Sequence, residues 1–400
     1  MPDYAQKSLI IHEQLRGKIA VTSKLPLETS DDLSTAYTPG VAAPCEAIAH
    51  DPSKAHDLTI KRNAVAVVSD GSSVLGLGNI GPLAAIPVME GKALLFKTYA
   101  DIDAWPLCLD TQDTDAIVDT VRRIAPVFGG INLEDISAPR CFEIEQRLQD
   151  IGIPVFHDDQ HGTAIALMAA IINAAKVLNK NLTELRIVIN GAGAAGIAIS
   201  RLLRCVGFNP AVCTPLRDII VCDSRGAIHA GRKDLNAQKQ ELLNYTNREN
   251  RSGSLQEVLE GADVFVGVSK GNLLDANDIR RMAADPIILA MANPTPEIMP
   301  EVAKAGGAAI IGTGRSDFPN QVNNVLVFPG IFRGALDASA PRITSRMKAA
   351  AVQALAATIA CPKADKILPS PLDKTVAPLI AKAVCQAAEQ ERDQLKEQES

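Results

Sequence analysis

The sequence predicts an α/β protein in which apolar helices pack on buried parallel strands. Hydrophobic residues make up 47% of the 400 positions, whereas aromatic residues make up only 4%. Short runs rich in Val and Ile alternate with helical segments along the chain. This alternation is typical of parallel sheets covered by helices on both faces. At about 150 residues per domain, the length corresponds to two domains and a further segment.

The N-terminal part of the chain has the pattern of a separate α/β domain. Residues 3–18 show an amphipathic helical pattern, and residues 19–36 are polar and extended. Beyond them, apolar runs bounded by turn residues predict strands, and longer apolar periodic segments predict helices. The predicted strands are 64–71, 93–99, 129–133 and 154–156, and the predicted helices are 82–91, 114–124 and 139–152.

A glycine-rich turn follows a long apolar helix that we predict over residues 164–178. The run from Arg186 to Gly196 reads RIVINGAGAAG, so that Gly191, Gly193 and Gly196 occupy the three glycine positions of the dinucleotide fingerprint. The first glycine permits a tight turn, the second lets the backbone approach a pyrophosphate, and the third lets the helix pack on the strand. The free N–H groups at the helix start, at Ala194 and Ala195, suit phosphate.

The segments after this turn complete the prediction of the fold. Further strands are predicted at 219–222, 264–268, 287–290 and 309–311, and a helix at 345–359. These strands form a doubly wound sheet. We therefore expect an N-terminal α/β catalytic domain over residues 1–160 and a Rossmann-type dinucleotide-binding domain over 161–345. C-terminal helices over 346–400 are expected to pack back on the first domain.

Asp223 is the residue expected to contact the ribose of the dinucleotide. It follows the predicted strand 219–222, but it lies 27 positions after Gly196, so we interpret residues 208–218 as an extra surface loop. A carboxylate at this point repels a 2′-phosphate and favours NAD. Arg225 lies close by and suits a 2′-phosphate, which leaves NADP as the alternative.

Charge and composition exclude several classes of partner. The net charge is −6 with both signs interspersed, and no basic stripe indicates nucleic acid or an anionic membrane surface. No apolar run reaches the roughly 18 residues of a membrane span, and the N-terminus lacks the apolar core of a signal peptide. The eight cysteines form no CxxC pair, so we expect mostly reduced cysteines in a soluble cytoplasmic protein.

Acidic pairs follow two of the predicted strands. Glu134 and Asp135 come after strand 129–133, and Asp158 and Asp159 come after strand 154–156. Carboxylates at strand ends, with no lysine nearby in sequence, suit a hard ion such as Mg²⁺ or Mn²⁺. The equally weighted alternative is that these residues cap the helices that follow them.

Four other polar residues have both a functional and a structural interpretation. Lys92 is placed at the entry of the predicted strand 93–99, and Tyr37 lies in a Tyr-Thr-Pro-Gly turn. The lysine is either solvated or a partly buried base, and the tyrosine either packs its ring or takes part in chemistry. His157 and His161 precede the predicted helix 164–178, where a four-residue spacing does not favour zinc, so we interpret them as polar loop residues.

Two further motifs contain glycine or asparagine. The loop 71–81 is rich in glycine but lacks the Lys-Ser/Thr ending of a nucleotide-hydrolysing phosphate loop. Asn293 follows strand 287–290, and Asn324 precedes an apolar stretch. Asparagine side chains at such points bind carboxylates or carboxamides, or simply form turns.

Taken together, these pieces resemble the malic enzyme family. Eight motifs occur in the family's order over about residues 15–360. They are YTPGV at 37–41, SDG at 69–71 with LGLGNIGP at 75–82, EGK at 90–92, NLED at 132–135, FHDDQHGT at 156–163, GAGAAG at 191–196, NPT at 293–295 and NNVLVFPG at 323–330. The length and the HDDQH form resemble the family's short bacterial branch.

The resemblance implies a metal-dependent oxidative decarboxylation of (S)-malate to pyruvate and CO₂, with NAD, or alternatively NADP, as electron acceptor. It identifies Lys92 as the general base and Tyr37 as the general acid. The remaining implied roles are metal ligands (Glu134, Asp135, Asp159), residues along the cofactor (Gly76, Gly78, Asn79), and contacts to substrate or nicotinamide (Asn293, Asn324). It also implies a homodimer or higher homo-oligomer, and the N-terminal helix and extended arm (1–36) suit contact with a partner subunit.

One departure from the family pattern and two alternative functions follow from the resemblance. Longer malic enzymes carry a malate-binding arginine after Asp-Gly, where this chain has Ser72 and Ser73. The substrate carboxylate therefore needs another cation or a stronger interaction with the metal. The alternative functions are a redox-neutral malolactic decarboxylation and a catalytically inactive NAD-binding protein.

Overall fold

The computed structural model describes residues 4–208, 213 and 215–399. The described N-terminal segment contains four helices that precede the first sheet: α1 (Tyr4–Leu15), α2 (Ser30–Ala36), α3 (Ala42–His50) and α4 (Ala55–Leu58). Each is short, and none of their residues is buried. The first buried residue of the described chain is Ala64, at the start of the first strand.

The first of two sheets has four parallel strands. Its strands are β1 (Ala64–Ser69), β2 (Asp103–Cys108), β3 (Gly130–Leu133) and β4 (Val155–His157), and its helices are α5 (Gly81–Ala100), α6 (Thr114–Ile124) and α7 (Arg140–Arg147). The strand order is β2-β1-β3-β4. The continuous apolar runs of β1 and β3 are fully buried, as strands covered on both faces require.

The second sheet has six strands and follows α8 (Asp158–Val177). Its strands are β5 (Arg186–Asn190), β6 (Asp218–Asp223), β7 (Gly226–Ala227), β8 (Val264–Gly267), β9 (Ile287–Ala290) and β10 (Ile310–Thr313). The helices that accompany it are α9 (Ala194–Leu203), α10 (Ala237–Leu242), α11 (Leu255–Val258), α12 (Ala276–Arg280) and α13 (Pro300–Ala305). The order is β10-β9-β8-β5-β6-β7, with only β7 antiparallel among the described strands. The order reverses at β5, where doubly wound sheets bind their ligands.

Three C-terminal helices join the two sheets: α14 (Phe328–Asp337), α15 (Ser345–Ala357) and α16 (Val376–Glu399). They share one apolar core with α8 and with residues of both sheets, including Val65 of β1 and Ile187 of β5. The ring of Phe96 on α5 lies 4.7 Å from that of Phe328 and 5.3 Å from that of Phe332. Helix α8 has fifteen buried residues, and eleven of them belong to this core, so α8 links the two sheets.

Two predictions of secondary structure were wrong. The predicted strand 93–99 is the second half of α5, which continues from Gly81 through Pro87 to Ala100. A short apolar run fits a buried strand and a buried helix equally well, and Gly91 and Pro87 suggested a break that does not occur. The actual neighbour of β1 is β2, an edge strand whose Pro106 needs no partner for its nitrogen.

The predicted helix 164–178 begins six residues earlier, at Asp158. Gly162 suggested a helix start, but it lies inside the first turns, where a Cβ would collide with Oδ1 of Asp158. Six of the eight cysteines are free, in agreement with the expectation of mostly reduced cysteines, and Cys205 and Cys213 form a disulfide. The predicted surface loop 208–218 lies partly outside the described residues. None of the described helices is long and apolar enough to cross a membrane.

Close contact between α14 and α16 depends on glycine. A Cβ at Gly330 would lie 2.7 Å from Cβ of Ile380 and 2.8 Å from the carbonyl oxygen of Ala377. We expect Gly330→Val to lower the free energy of unfolding by about 1–3 kcal/mol, because the helices must separate. Urea denaturation measures this change. The control is Gln353→Val on the exposed face of α15, and equal losses in both variants would contradict the close-packing argument.

Candidate active site

Three carboxylates meet where β3 and β4 end. Glu134 and Asp135 directly follow β3, and Asp159 lies in the first turn of α8, directly after β4. One oxygen from each of the three lies within 4.8 Å of the others. The carboxyl ends of neighbouring parallel strands share one edge of the sheet, and this brings together residues that are 24 positions apart.

The backbone around Asp135 fixes this arrangement. Asp135 adopts a left-handed conformation with φ of 54°, and its N–H donates to Oδ2 of Asp159 at 2.8 Å. Its carbonyl accepts a hydrogen bond from the N–H of Ser73 at 2.9 Å. Oδ2 of Asp135 is buried and has no hydrogen-bond partner among the described residues. The carboxylate is thus held in place with an oxygen free to bind a ligand.

The carboxylates do not cap helices, which was the structural alternative. The N-cap of α7 is Pro139, the N-cap of α8 is His157, and neither helix has a side-chain cap. Burial and the repulsion of Asp159 and Glu134 raise the pKa of Asp135 to about 8. Burial also raises the pKa of Glu134 and of Asp159. Three oxygen donors with this mutual repulsion fit a hard divalent cation.

Lys92 lies beside this carboxylate triad (Glu134, Asp135, Asp159), with a side chain that is only 7% exposed. Its Nζ is 2.6 Å from Oδ2 of Asp158 and 2.8 Å from Oε1 of Glu134. The ammonium also lies 4.3 Å from the ring centroid of Phe328. The premise that the carboxylates lack a lysine partner was therefore wrong, because α5 carries Lys92 to them from 42 positions upstream of Glu134.

The protonation of Lys92 depends on the charge around it. Burial lowers its pKa, but Asp158, Glu134 and Asp159 raise it more, so the net pKa lies above the usual range. In this arrangement Lys92 is an ammonium ion. Positive charge on the triad would oppose the effect of the carboxylates and lower the pKa of the lysine.

Asp158 has a role of its own, although the sequence only predicted it as one of a pair with Asp159. It is fully buried, it accepts the hydrogen bond from Lys92, and Gly162 leaves space for its carboxylate. Burial raises its pKa. Because α8 begins at Asp158 and not at residue 164, consecutive residues here project to different neighbours, which the sequence pattern did not indicate.

The two histidines are not the loop residues that the sequence suggested. His157 ends β4 and is fully buried. His161 lies inside α8, and its Nε2 is 2.8 Å and 3.0 Å from the two carboxylate oxygens of Glu145. The triad within the described residues contains neither histidine.

Tyr37 lies in an exposed turn and makes no hydrogen bond to the triad in the described part of the chain. It follows α2, and 67% of its surface is exposed. Its N–H donates to the carbonyl of Leu33 at 2.9 Å, and its carbonyl accepts from the N–H of Val41 at 2.7 Å. The backbone of this turn is therefore ordered, while the phenol faces outward.

A guanidinium lies beside Ser72, near the place where longer malic enzymes carry the arginine that this chain lacks. Nη2 of Arg140 donates to Oδ2 of the buried Asp70 at 2.6 Å and to Oγ of Ser72 at 3.0 Å. Oγ of Ser72 also accepts the N–H of Ser137, two residues after Asp135. Nε of Arg140 is buried without a hydrogen-bond partner in the described structure. The cation therefore comes from the start of α7 instead of from position 72 or 73.

The glycine turn has the form that the fingerprint requires. Gly191 has a φ of 126°, and its N–H donates to the carbonyl of Cys222 at 2.9 Å. A Cβ at Gly196 would collide with the carbonyl oxygen of Gly191, whereas a Cβ at Gly193 would meet nothing within 4 Å. Gly193 is the N-cap of α9, so Ala194 and Ala195 form its first turn. Open space at Gly193 leaves the backbone accessible to a pyrophosphate.

Asp223 ends β6, the neighbour of β5, and is surrounded by cations. Its carboxylate accepts from Nη1 and Nη2 of Arg232 at 2.7 Å and 3.0 Å, and from Nζ of Lys239 at 2.6 Å. Burial raises the pKa of Asp223, but the bonds to Arg232 and Lys239 lower it more, to about 2. The guanidinium of Arg225 contacts Asp234 instead. The carboxylate is thus ionised at neutral pH.

The remaining predicted site residues lie along the cleft between the sheets. A Cβ at Gly76 would lie 3.0 Å from the carbonyl oxygen of Asn293, so the glycine loop reaches the segment after β9. Asn79 exchanges side-chain hydrogen bonds with Gln112, and Gly78 has a φ of 77°. Cβ of Asn324 lies 3.2 Å from the position of a Cβ at Gly162, next to Asp158. Asn293 and Asn324 therefore border the cleft on the side of the second sheet.

Comparison with known proteins finds two domains of one family along the chain. Residues 16–149 match the malic enzyme N-terminal domain, and residues 160–389 match the malic enzyme NAD binding domain. The chain is 54% identical over 387 residues to a bifunctional malic/malolactic enzyme of Bacillus subtilis, covering 96% of this chain and 92% of that one. It is 48% identical to an NADP-dependent malic enzyme of Escherichia coli, covering 96% of this chain and 52% of the other.

A solved structure has the same fold. The NAD-dependent malic enzyme of Thermotoga maritima superposes with a TM-score of 0.90 at 46% identity, covering 94% of this chain and 98% of that one. The two regions that match the family domains contain Lys92, Glu134, Asp135 and the glycine turn, and Asp159 lies directly before the second region. The chain belongs to the malic enzyme family.

Proposed function

We propose that this protein catalyses the oxidative decarboxylation of (S)-malate to pyruvate and CO₂, with NAD as electron acceptor and a divalent metal ion held by Glu134, Asp135 and Asp159. The observation that carries the proposal is the carboxylate triad, with Glu134 and Asp135 buried and Lys92 against it. The triad lies at the carboxyl ends of β3 and β4 in the first sheet. We also propose that residues 1–160 form the malate- and metal-binding domain, 161–345 the dinucleotide-binding domain, and 346–400 the helices that return to the first domain.

One carboxylate oxygen from each triad residue lies within 4.8 Å of the others, and Oδ2 of Asp135 has no hydrogen-bond partner among the described residues. These oxygens fit Mg²⁺ or Mn²⁺. When bound, the metal polarises the C2 oxygen of malate and the nicotinamide accepts the hydride. Lys92 takes the proton from the C2 hydroxyl, because its Nζ lies beside the triad and its pKa falls once the carboxylate charge is neutralised. Asp158 holds that Nζ in place at 2.6 Å.

The second half of the reaction needs a proton at C3. Once the hydride has left C2, loss of the C4 carboxylate as CO₂ leaves an enolate of pyruvate, and Tyr37 is the proposed acid that protonates its C3. Lys92 returns a proton to the phenol. Arg140 is the proposed cation for a malate carboxylate, because its Nε is unpartnered and its guanidinium touches the loop bonded to Asp135. Asn293 and Asn324 are proposed to contact substrate or nicotinamide from the other wall.

A malolactic activity is a second candidate, since the relative from Bacillus subtilis is named for both reactions. That conversion is redox-neutral, because the bound cofactor is reduced and then reoxidised. Accumulation of one NADH for each malate consumed is expected for the malic reaction, and malate consumption with lactate release and no net NADH is expected for the malolactic one.

Lys92→Ala is expected to lower kcat by about 10²–10⁴, because a positioned base is lost, while the affinity for NAD stays unchanged. Malate turnover in the presence of Mn²⁺ and NAD fluorescence titration measure the two quantities. Lys97→Ala is the control, because Lys97 lies on the same helix with 54% of its side chain exposed. Wild-type turnover in Lys92→Ala would show that the base is assigned wrongly. Full activity after EDTA treatment would show that the metal site is assigned wrongly.

The stability of the metal-free protein is expected to fall as pH rises from about 4 to about 8. Asp135 has a pKa of about 8 in the folded protein and about 3.9 when unfolded. Asp135 therefore binds its proton more tightly in the folded state. The resulting contribution to the free energy of unfolding is fully present below pH about 4 and is lost as the pH rises through about 8. Urea unfolding across this range, with EDTA, measures the effect. Asp135→Asn mimics the protonated form and should reduce the slope, so an unchanged slope would contradict the assignment.

With malate and Mn²⁺, kcat/KM for NAD is expected to exceed that for NADP, because the ionised Asp223 repels a 2′-phosphate. Asp223→Ala should lower the ratio of kcat/KM for NAD to kcat/KM for NADP, because no carboxylate then offsets the positive charge of Arg232 and Lys239 near the 2′-phosphate. Asp234→Ala removes a neighbouring acid of the same cluster and serves as the control. A wild-type preference for NADP would instead assign Arg232 and Lys239 to the 2′-phosphate.

A further inference from the structure

Glu297 is a fully buried carboxylate that lies between β9 and α13 in the second α/β unit. Burial raises its pKa, and hydrogen bonds from backbone N–H groups offset only part of this effect. No lysine, arginine or histidine of the described chain forms an ion pair with it. Because a buried carboxylate without a cation is costly, the groups that donate to Glu297 show what the side chain is kept for.

The two carboxylate oxygens of Glu297 join two loops at the carboxyl edge of the sheet. Oε1 accepts the N–H of Ser269 at 2.8 Å, two residues after the end of β8. Oε2 accepts the N–H of Ala292 at 3.1 Å, two residues after the end of β9. The backbone carbonyl of Glu297 also accepts the N–H groups of Leu273 and Leu274, at 2.7 Å and 3.1 Å. One residue therefore bonds the segments that follow two neighbouring strands.

The space for this carboxylate depends on glycine. Gly267 is the last residue of β8, and a Cβ there would collide with the carboxylate of Glu297. Gly271 lies in the loop that follows, and its Cβ would lie 2.5 Å from the carbonyl oxygen of Thr295. Neither glycine has a positive φ, so close approach and not backbone conformation requires them. The two loops are thus packed around Glu297.

Ser269 extends this connection to the glycine turn. Its Oγ accepts a hydrogen bond from Nδ2 of Asn190 at 2.7 Å, and it donates to Oε1 of Glu297 at 3.4 Å. Asn190 is the last residue of β5 and directly precedes Gly191. Side-chain hydrogen bonds therefore connect the carboxyl ends of β5, β8 and β9, which are adjacent in the sheet. Doubly wound sheets bind dinucleotides at this edge.

The turn that carries Asn293 is fixed from two sides. Glu297 bonds the N–H of Ala292, the residue directly before it. On the other side, Nη1 of Arg315 donates to the carbonyl of Pro294 at 3.0 Å. Asn293 is one of the residues proposed to contact substrate or nicotinamide, so its placement depends on the Glu297 carboxylate.

We propose that Glu297 is a positioning residue that fixes the ends of β8 and β9 as one surface for the nicotinamide half of the dinucleotide. This inference rests on the proposed role of Asn293. Without two acceptor oxygens, the N–H groups of Ser269 and Ala292 are buried unpaired, and the loops have to rearrange to pair them. The glycine turn is bonded separately, from Gly191 to the carbonyl of Cys222, and stays in place.

Glu297→Gln tests this role because it keeps the size of the side chain and turns an amide group toward one of the N–H donors. With saturating malate, Mn²⁺ and NAD, we expect kcat to fall by about 10², since a small displacement of a reacting group is enough for such a loss. The Kd values of Mn²⁺ and of ADP-ribose, which lacks the nicotinamide, should be unchanged. Comparable losses of affinity for both would overturn the proposal, because they would show a general structural role.

The fluorescence of bound NADH reports on the nicotinamide itself. Emission from the reduced ring increases when protein contacts immobilise it, and we expect a smaller increase in Glu297→Gln than in the wild type at saturating NADH. Glu301→Gln is the matched control, because it removes a carboxylate from the exposed first turn of α13. Wild-type kcat together with wild-type NADH fluorescence in Glu297→Gln would overturn the proposal.

A second variant covers the case in which Glu297→Gln does not fold. Glu297→Asp keeps the charge but is one methylene shorter, so its carboxylate cannot reach both N–H groups, and kcat should lie between those of the wild type and a variant without the carboxylate. Wild-type kcat in folded Glu297→Asp would contradict the positioning role. An inactive wild-type protein with malate, Mn²⁺ and NAD would refute the proposed function, whereas NADH fluorescence would still test Glu297, because it requires no turnover of malate.

Discussion

The crowding of four carboxylates, three of them buried, around one ammonium group is the constraint on which the rest of the structure depends. Lys92 neutralises part of the charge of Asp158 and Glu134, but Asp135 and Asp159 remain beside them. Buried charges are costly unless they are paired. The cluster therefore requires further positive charge, and the same requirement makes it a binding site for a cation. Local stability is given up here for a function.

Rigid elements on all sides hold this unfavourable cluster together. Two parallel strands end at the triad, and α5 brings Lys92 to it over the ring of Phe328. That ring is packed in turn against Phe96 and belongs to α14. Because α14 and α16 approach closely at Gly330, the C-terminal helices fix the position of Phe328, and the ring of Phe328 contacts Lys92. A site with this much repulsion cannot be built on loops alone, because they would move apart.

The sequence predicted what depends on strand ends and glycine geometry. Glu134, Asp135, Asp159 and Gly191 could be located because buried strands and turns have strong local patterns. It did not predict the environment of Lys92, since the run after Gly91 fits a helix and a strand equally well. It also did not separate Asp158 from Asp159, because only the helix start at 158 shows that the two point to different partners. The ion pairs of Asp223 with Arg232 and Lys239 depend on tertiary contacts that no local pattern encodes.

The exposure of Tyr37 contrasts with the burial of Lys92. Its backbone is ordered by hydrogen bonds to Leu33 and from Val41, yet 67% of its surface is exposed. Lys92, in contrast, is held between Asp158 and Glu134 with its side chain 7% exposed. The proposed base is therefore built into the rigid core of the first α/β unit, whereas the proposed acid needs further cover before it can act away from water.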